Sequence, residues 1–536
     1  MEERKGFGTN FGFLMAAVGS AVGLGNIWGF PNKMGASGGF TFLIIYLILA
    51  VCCGFIVMVG ELAIGRKTGK GAVAAYHAIS KKFKWMGWMG ILSAFLILFF
   101  YCALGGYCIK YTVVNIGDLF NASFGSGAAA ELAAANDTSV GAEVFGAFIG
   151  NPTEAIIYGL IFVALTMLIV LGGVGGGIEK VCSVGMPALF IILLICIIRA
   201  CTLGGNEFEV AVLQADGSTV VQTIQSSSLD GLKYMFQPGY VTGTGYYAPA
   251  KALVDGAMVA AIDGIPVVKH ITEVPNFFSV LSTAGGQMFF SLSLGMGAMI
   301  TYGSYLGKKQ NLEKNALIIV IMDTLIALMA GLAVMPGRFA LDASGAVGGP
   351  KLLFITMQNV FDKMGAIGPV FGLLFYLLVV FAAISSSISL LEVIVAHFCD
   401  KARIAGKGDK RKAYSLIAAV AVGLGCTLVC LDCLGGAGIA PADLLKIEPS
   451  GWSDCWLDFF DSLSEGIMMP LGALLMCLCI GWEIGPKVVD EECCLEGQSF
   501  KSKGFFNICV KFITPIIMIL VLAGQLNTFF GFGWFS

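Results

Sequence analysis

The chain has little charge and few histidines for its length. Only 12% of its 536 residues are Asp, Glu, Lys or Arg, about half of the share that is typical of soluble globular proteins. Its three histidines, at positions 77, 270 and 397, lie in or near loops and form no H-E-x-x-H motif, so the sequence offers no metal-dependent catalytic site. The net charge of −3 says little by itself, but the basic runs need no nucleic-acid explanation, so we expect no nucleic-acid partner.

Apolar residues take the place of the missing charge. They make up 57% of the chain, and the mean hydropathy is +0.86. About 20 consecutive apolar residues cross the hydrocarbon core of a bilayer. The sequence therefore predicts an all-α integral membrane protein, with eleven spans near 11–37, 41–64, 88–118, 155–173, 181–202, 276–306, 314–336, 367–399, 412–432, 456–483 and 504–525.

The charges between the spans predict the orientation. Basic residues are concentrated after spans two and eight, whereas the loop at 119–154 holds four acidic residues and no Lys or Arg. The side of the membrane with more Lys and Arg is the cytoplasmic one. We therefore expect a multi-pass protein of the cell membrane, plasma or inner, with its N-terminus in the cytoplasm and its C-terminus outside.

The longest predicted loop, 203–275, lies on the outer side. Residues 207–224 alternate like a strand pair around a central Asp-Gly, which predicts a small hairpin. The stretch 247–264 is expected to form short amphipathic helices.

Two apolar segments, far apart in the chain, are interrupted in the same way. Residues 19–26 (GSAVGLGN) break span one, and residues 289–297 (FFSLSLGMG) break span six. Backbone freed from a helix at this depth needs partners from protein, water or a ligand, because lipid offers no hydrogen bonds. Glycines at such spacings also serve simply for close packing of spans. Matching breaks in both halves favour the central binding site of a transporter.

The residues of the first break suggest what binds there. The carbonyls of Gly19, Ala21 and Val22 and the side chain of Asn26 are oxygen ligands suited to sodium. The amides that open the next half-helix, at residues 23–25, are suited to a carboxylate. The three serines at 385–387 can bond back to their own helix, but beside two broken spans they become candidate ion and substrate ligands.

Other classes of function remain to be weighed against a sodium-coupled symporter of amino acids. A membrane-embedded enzyme is disfavoured because no nucleophile with a base and no metal cluster is evident inside the spans. A channel would not explain the amides at residues 23–25. A non-transporting sensor would keep the same binding residues, so only a measurement of flux separates it from a transporter.

Long motifs in this chain resemble the neurotransmitter:sodium symporter family. They are residues 6–31 (GFGT to WGFP), 60–66 (GELAIGR) and 286–295 (GQMFFSLSLG), and the serines of span eight followed by Leu390-Leu391-Glu392. The resemblance implies the LeuT fold, in which two inverted repeats of five helices have broken helices one and six. It implies one transporter domain, 1–525, with repeat one at 1–202, repeat two at 276–483, helix eleven at 504–525 and the outer loop 203–275 as an insertion.

The resemblance also implies two sodium sites and a substrate site. The second sodium site would use Gly19, Val22, Ala382, Ser385 and Ser386. The first would use Ala21, Asn26, Ser291 and Asp323. The substrate site would comprise Ser20, Ala21, Gly23, Leu24, Gly25, Ile97, Tyr101, Phe290, Ser291, Ser293, Met296, Ser386 and Leu390. Tyr101 would hold the substrate carboxylate, and Phe290 would cover it.

Two departures from the family pattern bear on substrate and gating. Met296 stands where an aromatic is common, and its flexible thioether favours a neutral amino acid with a bulky apolar side chain. Gly29 stands where an arginine is usual, although its acidic partner is present as Asp461, so the usual outer salt bridge is missing. The resemblance assigns the cytoplasmic gate to Arg4 and Asp400, with Ser304 and Tyr305 nearby.

A third departure is Asp323, where many members have asparagine. A buried charge within a span is costly and marks a functional site. Tyr46 and Gln287, with Ser291, match the chloride site of animal relatives. We therefore expect Asp323 to supply the negative charge, so that chloride is not required. The protein is expected to act as a monomer or a dimer.

Overall fold

The computed structural model describes residues 6–136, 138–254, 257–259, 261–262, 264–341, 350–406 and 410–534. In this part of the chain, nine uninterrupted helices are long and apolar enough to cross a membrane. They are Phe40–Thr68 (span two), Met86–Leu119 (span three), Pro152–Leu171 (span four), Val174–Cys201 (span five), Leu312–Leu341 (span seven), Gly365–Ile404 (span eight), Arg411–Gly435 (span nine), Trp456–Glu483 (span ten) and Lys503–Phe530 (span eleven). Shorter helices are Ala72–Ile79, Gly127–Asn136, Val140–Ile149, Ser228–Phe236, Tyr240–Gly243, Leu352–Thr356, Met357–Lys363, Pro441–Leu445 and Lys487–Cys493. Span eleven continues past the predicted end at residue 525.

The two predicted breaks divide the remaining spans. Span one consists of Asn10–Ala21 and Gly25–Ala36, which meet at a bend of 47°, and Val22 between them is extended. Span six consists of Phe277–Ser291 and Ala298–Gly303. Within its break, Ser293, Gly295 and Gly297 have positive φ angles of 54°, 81° and 78°, which an α-helix does not allow.

Burial separates the inner spans from the outer ones. In the most apolar window of each helix, 72% of the residues of spans two, three and ten are buried, against 33% in span four and 28% in span five. Spans four and five therefore present broad apolar faces outward, as expected for helices that border lipid. The broken parts of spans one and six lie in the interior, where Val22 and Leu294 are fully buried.

The long loop is a small β-domain. Strands β1 (Gly205–Leu213) and β2 (Thr219–Ser227) form the predicted antiparallel hairpin, with Gly205 opposite Ser227. They are followed by β3 (Tyr246–Pro249), β4 (Ala252–Val254), β5 (Ala257–Val259), β6 (Ala261–Ile262) and β7 (Ile265–Ile271). The larger sheet has the order β2-β1-β7-β3, and β6 also pairs with β7.

The prediction of short helices over 247–264 was therefore wrong. Residues 246–249 pair with 268–271 of β7, and β7 pairs in turn with β1. The hairpin supplies the edge on which these strands assemble, so long-range pairing overrides the local pattern.

A carboxylate fastens the short helix Met357–Lys363, between spans seven and eight, to span three. Asp362 accepts a hydrogen bond from Gln358 at 3.1 Å and lies 3.5 Å from the Ser126 hydroxyl, and the Ser126 N–H donates to Asp118 at the end of span three. Burial raises the pKa of Asp362 to about 6, and the Asp118 carboxylate adds to this, although the contacts with Gln358 and Ser126 act against it.

The attachment of this helix should weaken as pH rises. In the detached helix the Asp362 pKa would be about 3.9, so the attached state binds more protons between about pH 4 and 6 and loses up to about 3 kcal/mol across that interval. Hydrogen exchange of residues 352–363, corrected for intrinsic rates, should be faster at pH 7.5 than at pH 5. Asp362→Asn should remove this difference, and an unchanged difference in that variant would contradict the assignment.

Candidate functional site

The residues assigned to the second sodium site lie together where spans one and eight meet. Ser386 Oγ lies 3.4 Å from the Gly19 carbonyl oxygen and 3.3 Å from that of Val22. Ser385 Oγ lies 3.2 Å from the Val22 carbonyl and 2.9 Å from that of Ala382. All five predicted ligands therefore converge. Two hydroxyl protons cannot satisfy all of these carbonyl oxygens, and a cation bound among them would.

Two residues assigned to the first sodium site, Asn26 and Ser291, contact the fully buried Asp323, whereas Ala21 lines the cavity described below. Ser291 Oγ lies 3.0 and 2.9 Å from the two carboxylate oxygens of Asp323, and Asn26 Nδ2 donates to that carboxylate at 2.7 Å. The Asn26 oxygen faces the other way and accepts from the Gly23 N–H at 3.0 Å. A cation here would need this amide turned over, so that its oxygen and not its NH₂ faces the ion.

Besides Ser291, two residues match a chloride site. Tyr46 contacts Asp323 weakly, and Gln287 does not bond to it. The Tyr46 hydroxyl lies 3.5 Å from the Asp323 carboxylate, beyond the usual range for O–H···O bonds. Gln287 instead donates its amide to the Gly25 carbonyl at 2.7 Å. Its oxygen lies 2.8 Å from the place where a side chain on Gly29 would begin, so Gln287 occupies space that a larger residue at position 29 would take.

A small cavity lies between the two helix breaks. Its volume is about 20 Å³, and it is lined by Ser20, Ala21, Gly23, Gly25, Ile97, Tyr101, Phe290, Ser293, Met296, Ser386 and Leu390. All of these were assigned to the substrate site, whereas Leu24 and Ser291 of the same prediction do not line the cavity. A space of this size holds about one water molecule, so a larger ligand requires side chains such as Phe290 and Met296 to move.

Two glycines of span one make room for the polar groups of this cavity. A methyl group on Gly23 would lie 2.2 Å from Ser386 Oγ and 2.5 Å from the Tyr101 hydroxyl. One on Gly25 would lie 2.7 Å from the Phe290 ring. The Leu24 N–H donates to the Tyr101 hydroxyl at 3.0 Å. Hydroxyl and amide donors thus meet at the end of a half-helix, an arrangement that binds carboxylates.

Hydroxyls and a carboxylate also hold the two breaks in place. Ser293 donates to the Ser20 carbonyl at 2.8 Å, and Ser20 donates to Ser389 of span eight at 2.8 Å. The Gly295 N–H donates to the buried Glu61 carboxylate of span two at 2.7 Å. Protein groups therefore satisfy the Ser20 carbonyl and the Gly295 N–H, two of the backbone groups freed at the breaks.

The gate residues are partly described. Arg4 lies outside the described residues, so its pairing with Asp400 stays a prediction. Asp400 accepts from the Gly71 N–H at 2.9 Å and lies 3.7 Å from Arg403. Of the residues predicted for the outer gate, Asp461 contacts Glu465, which forms an ion pair with Lys33.

Sequence reasoning assigned no role to several acidic residues that contact spans one, five, six and eight. Glu392, fully buried, forms an ion pair with Arg411 and accepts from Tyr305 at 2.8 Å. Glu179 accepts from the Gly8 N–H at 2.8 Å and from Thr9 at 3.1 Å, which ties the start of span one to span five. Acidic residues inside apolar segments are the signal that points to Glu392 and Glu61.

Comparisons with known proteins identify the family of the chain. The model of the sodium:neurotransmitter symporter family matches residues 4–122 and 266–533. An uncharacterized sodium-dependent transporter of Bacillus subtilis, YhdH, is 31% identical over 96% of both chains. A sodium-dependent nutrient amino acid transporter of Drosophila erecta is 22% identical over 98% of this chain and 78% of its own.

A solved structure shares the fold. The crystal structure of MhsT in complex with L-phenylalanine superimposes with a TM-score of 0.75 at 30% identity, covering 97% of this chain and all of that one. Members of this family are transporters and not enzymes. The predicted fold class is confirmed: the chain belongs to the sodium:neurotransmitter symporter family and is a sodium-dependent, multi-pass membrane transporter with the LeuT fold.

Proposed function

We propose that the protein imports a neutral amino acid with a bulky apolar side chain, coupled to sodium, by alternating access. The observation that carries this proposal is the cavity between the two helix breaks. It has hydroxyl and amide donors at one end, where Tyr101 meets the half-helix that starts at Gly25. The rest of its lining includes the apolar side chains of Ile97, Phe290 and Leu390.

The relatives support the substrate class. MhsT was crystallised with L-phenylalanine, and the Drosophila relative carries the name of a nutrient amino acid transporter. An aromatic or branched side chain fits a lining in which Met296 can adapt its three rotatable bonds to different shapes. We propose leucine, methionine or an aromatic amino acid in preference to glycine or alanine.

We propose two sodium ions per cycle and no need for chloride. The convergence of five oxygen ligands around Ser385 and Ser386 supports one ion, and the cluster of Asn26, Ser291 and Asp323, to which Ala21 would add its carbonyl, supports the other. The negative charge that chloride supplies elsewhere would come from Asp323, which is fully buried beside that second cluster.

We also propose the orientation that loop charges predict. The N-terminus would face the cytoplasm and the C-terminus the outside of the cell membrane, plasma or inner. The β-domain at 203–275 would then lie outside, above the end of span one. The transporter would work as a monomer or dimer.

The decisive experiment is a binding screen of the twenty amino acids in sodium and in potassium. We expect a bulky apolar amino acid to bind in sodium and not in potassium. Proteoliposome uptake driven by a sodium gradient then distinguishes a transporter from a sensor. Binding of every ligand to the same extent in potassium would refute the proposal.

The substrate carboxylate should be essential. Leucine should bind at least about tenfold more tightly than 3-methylbutylamine, which lacks only the carboxylate, because the amine leaves the buried donors around Tyr101 without a partner at a cost of about 1–3 kcal/mol. Tyr101→Phe should weaken leucine binding and leave amine binding unchanged. Equal affinities for leucine and its amine would refute the role given to Tyr101 and favour amine transport.

A further inference from the structure

We propose that Lys33 and Glu465 form the ion pair that closes the outer side of the substrate site, at the level where the family's usual arginine is replaced by Gly29. This inference rests on the alternating-access transport proposed above. Lys33 lies in the outer half of span one and Glu465 in span ten, 432 positions later in the chain. Their side chains are 24% and 8% exposed, so the pair is largely shielded from water.

The spacing explains why this lysine stands in for a residue one turn earlier. Lys33 follows Gly29 by four residues, which is about one helical turn. Side chains on a helix tilt toward its N-terminus, so the Lys33 side chain is directed back toward the level of Gly29. The space beside Gly29 itself is taken by Gln287.

The same geometry applies to span ten. Glu465 follows Asp461 by four residues, and its side chain tilts back toward Asp461, which it contacts. Asp461 is also attracted to Lys33. The predicted acidic gate residue is therefore part of a cluster of three ionisable side chains in which Glu465 makes the direct ion pair.

The cluster lies one layer outside the cavity. Glu465 Oε1 is 3.6 Å from the place where a side chain on Gly286 would begin. Gly286 precedes Phe290, which lines the cavity, by one turn of span six. Separation of span one from span ten would break a shielded ion pair and expose Phe290 from above, so the pair favours the outward-closed state.

The test uses isosteric neutral variants of the whole protein, Lys33→Met and Glu465→Gln, and the charge exchange Lys33→Glu with Glu465→Lys. Each neutral variant should increase hydrogen exchange of residues 24–36 and 286–297 in purified protein. Each should lower sodium-driven leucine uptake at least about fivefold, which is the lower end of the range of effects that a conformational coupling typically has on affinity. The charge-exchange variant and Lys33→Arg both keep an ion pair, so hydrogen exchange and leucine uptake should match those of the unmodified protein.

A matched control is the ion pair of Lys110 and Glu154, which joins spans three and four at 2.6 Å and is similarly shielded. Lys110→Met should leave exchange at residues 24–36 and 286–297 unchanged.

Three results separate the possibilities. Unchanged exchange in both neutral variants would overturn the proposal. The proposal would also be overturned if the charge-exchange variant and Lys33→Arg showed the same increase in hydrogen exchange as the neutral variants. That result would indicate a structural role for these side chains. A third result is that no amino acid binds to the unmodified protein, while hydrogen exchange increases in the neutral variants and not in Lys33→Arg. That result would support the ion-pair gate and refute the proposed substrate.

Discussion

Ser386→Ala is expected to reduce sodium-dependent ligand binding about tenfold or more. In the structure one hydroxyl at Ser386 lies 3.2 to 3.4 Å from three carbonyl oxygens, those of Gly19, Ser20 and Val22. These distances are long for O–H···O bonds, and one proton serves only one acceptor well. A sodium ion would complete the coordination, and loss of a desolvated ligand oxygen costs about 1–3 kcal/mol.

The neighbouring serine provides a matched control. Ser387 faces Thr166 of span four, with 2.8 Å between the two hydroxyl oxygens, and donates to the Ile384 carbonyl. Ser387→Ala therefore removes the same atom on the other side of span eight. It should leave the sodium concentration for half-maximal binding unchanged, while Ser386→Ala raises it.

The sodium effect is also measurable without a known substrate. The melting temperature of the unmodified protein should be higher in sodium than in potassium, because an ion that binds only the folded state stabilises it. Ser386→Ala should reduce this difference and Ser387→Ala should preserve it. A sodium-induced shift of the same size in both variants would show that Ser386 is not a ligand.

Transport should proceed equally in chloride and in gluconate, and Asp323→Asn should reduce it roughly a hundredfold or more. Removal of one member of a buried charge pair costs about 3–5 kcal/mol, and here the other member would be the bound sodium ion. Asp323 is fully buried and holds hydrogen bonds from Ser291 and Asn26. In Asp323→Asn, the Ser291 and Asn26 donors face an uncharged amide. An anion that binds beside them would accept their hydrogen bonds.

Chloride should therefore partly restore uptake in Asp323→Asn and have no effect on the unmodified protein. Tyr46→Phe is the graded comparison, because it removes only the 3.5 Å contact to the same carboxylate and should cost far less. Uptake by the unmodified protein that depends strictly on chloride would show that Asp323 does not supply the charge.

Local features of the sequence predicted the membrane topology and the position of the binding site. Hydropathy located the spans, because burial in lipid requires long apolar helices. Gly23, Gly25, Gly295 and Gly297 marked the two breaks, because positive φ angles and close approach of side chains favour glycine. The resemblance to the neurotransmitter:sodium symporters then indicated residues such as Tyr101 and Ser386, which line the cavity between the breaks.

Only the tertiary structure decided which polar groups meet. Gln287 donates a hydrogen bond to the Gly25 carbonyl instead of Asp323. The Asn26 side-chain NH₂ donates to Asp323, and Lys33 forms an ion pair with Glu465. In the loop 203–275, residues 246–249 form a strand because they pair with β7. Hydropathy and backbone preference act over a few neighbouring residues and are therefore legible in the sequence. Partners separated by hundreds of positions depend on how the helices pack and on the space that residues such as Gly29 leave open, and no local pattern encodes that.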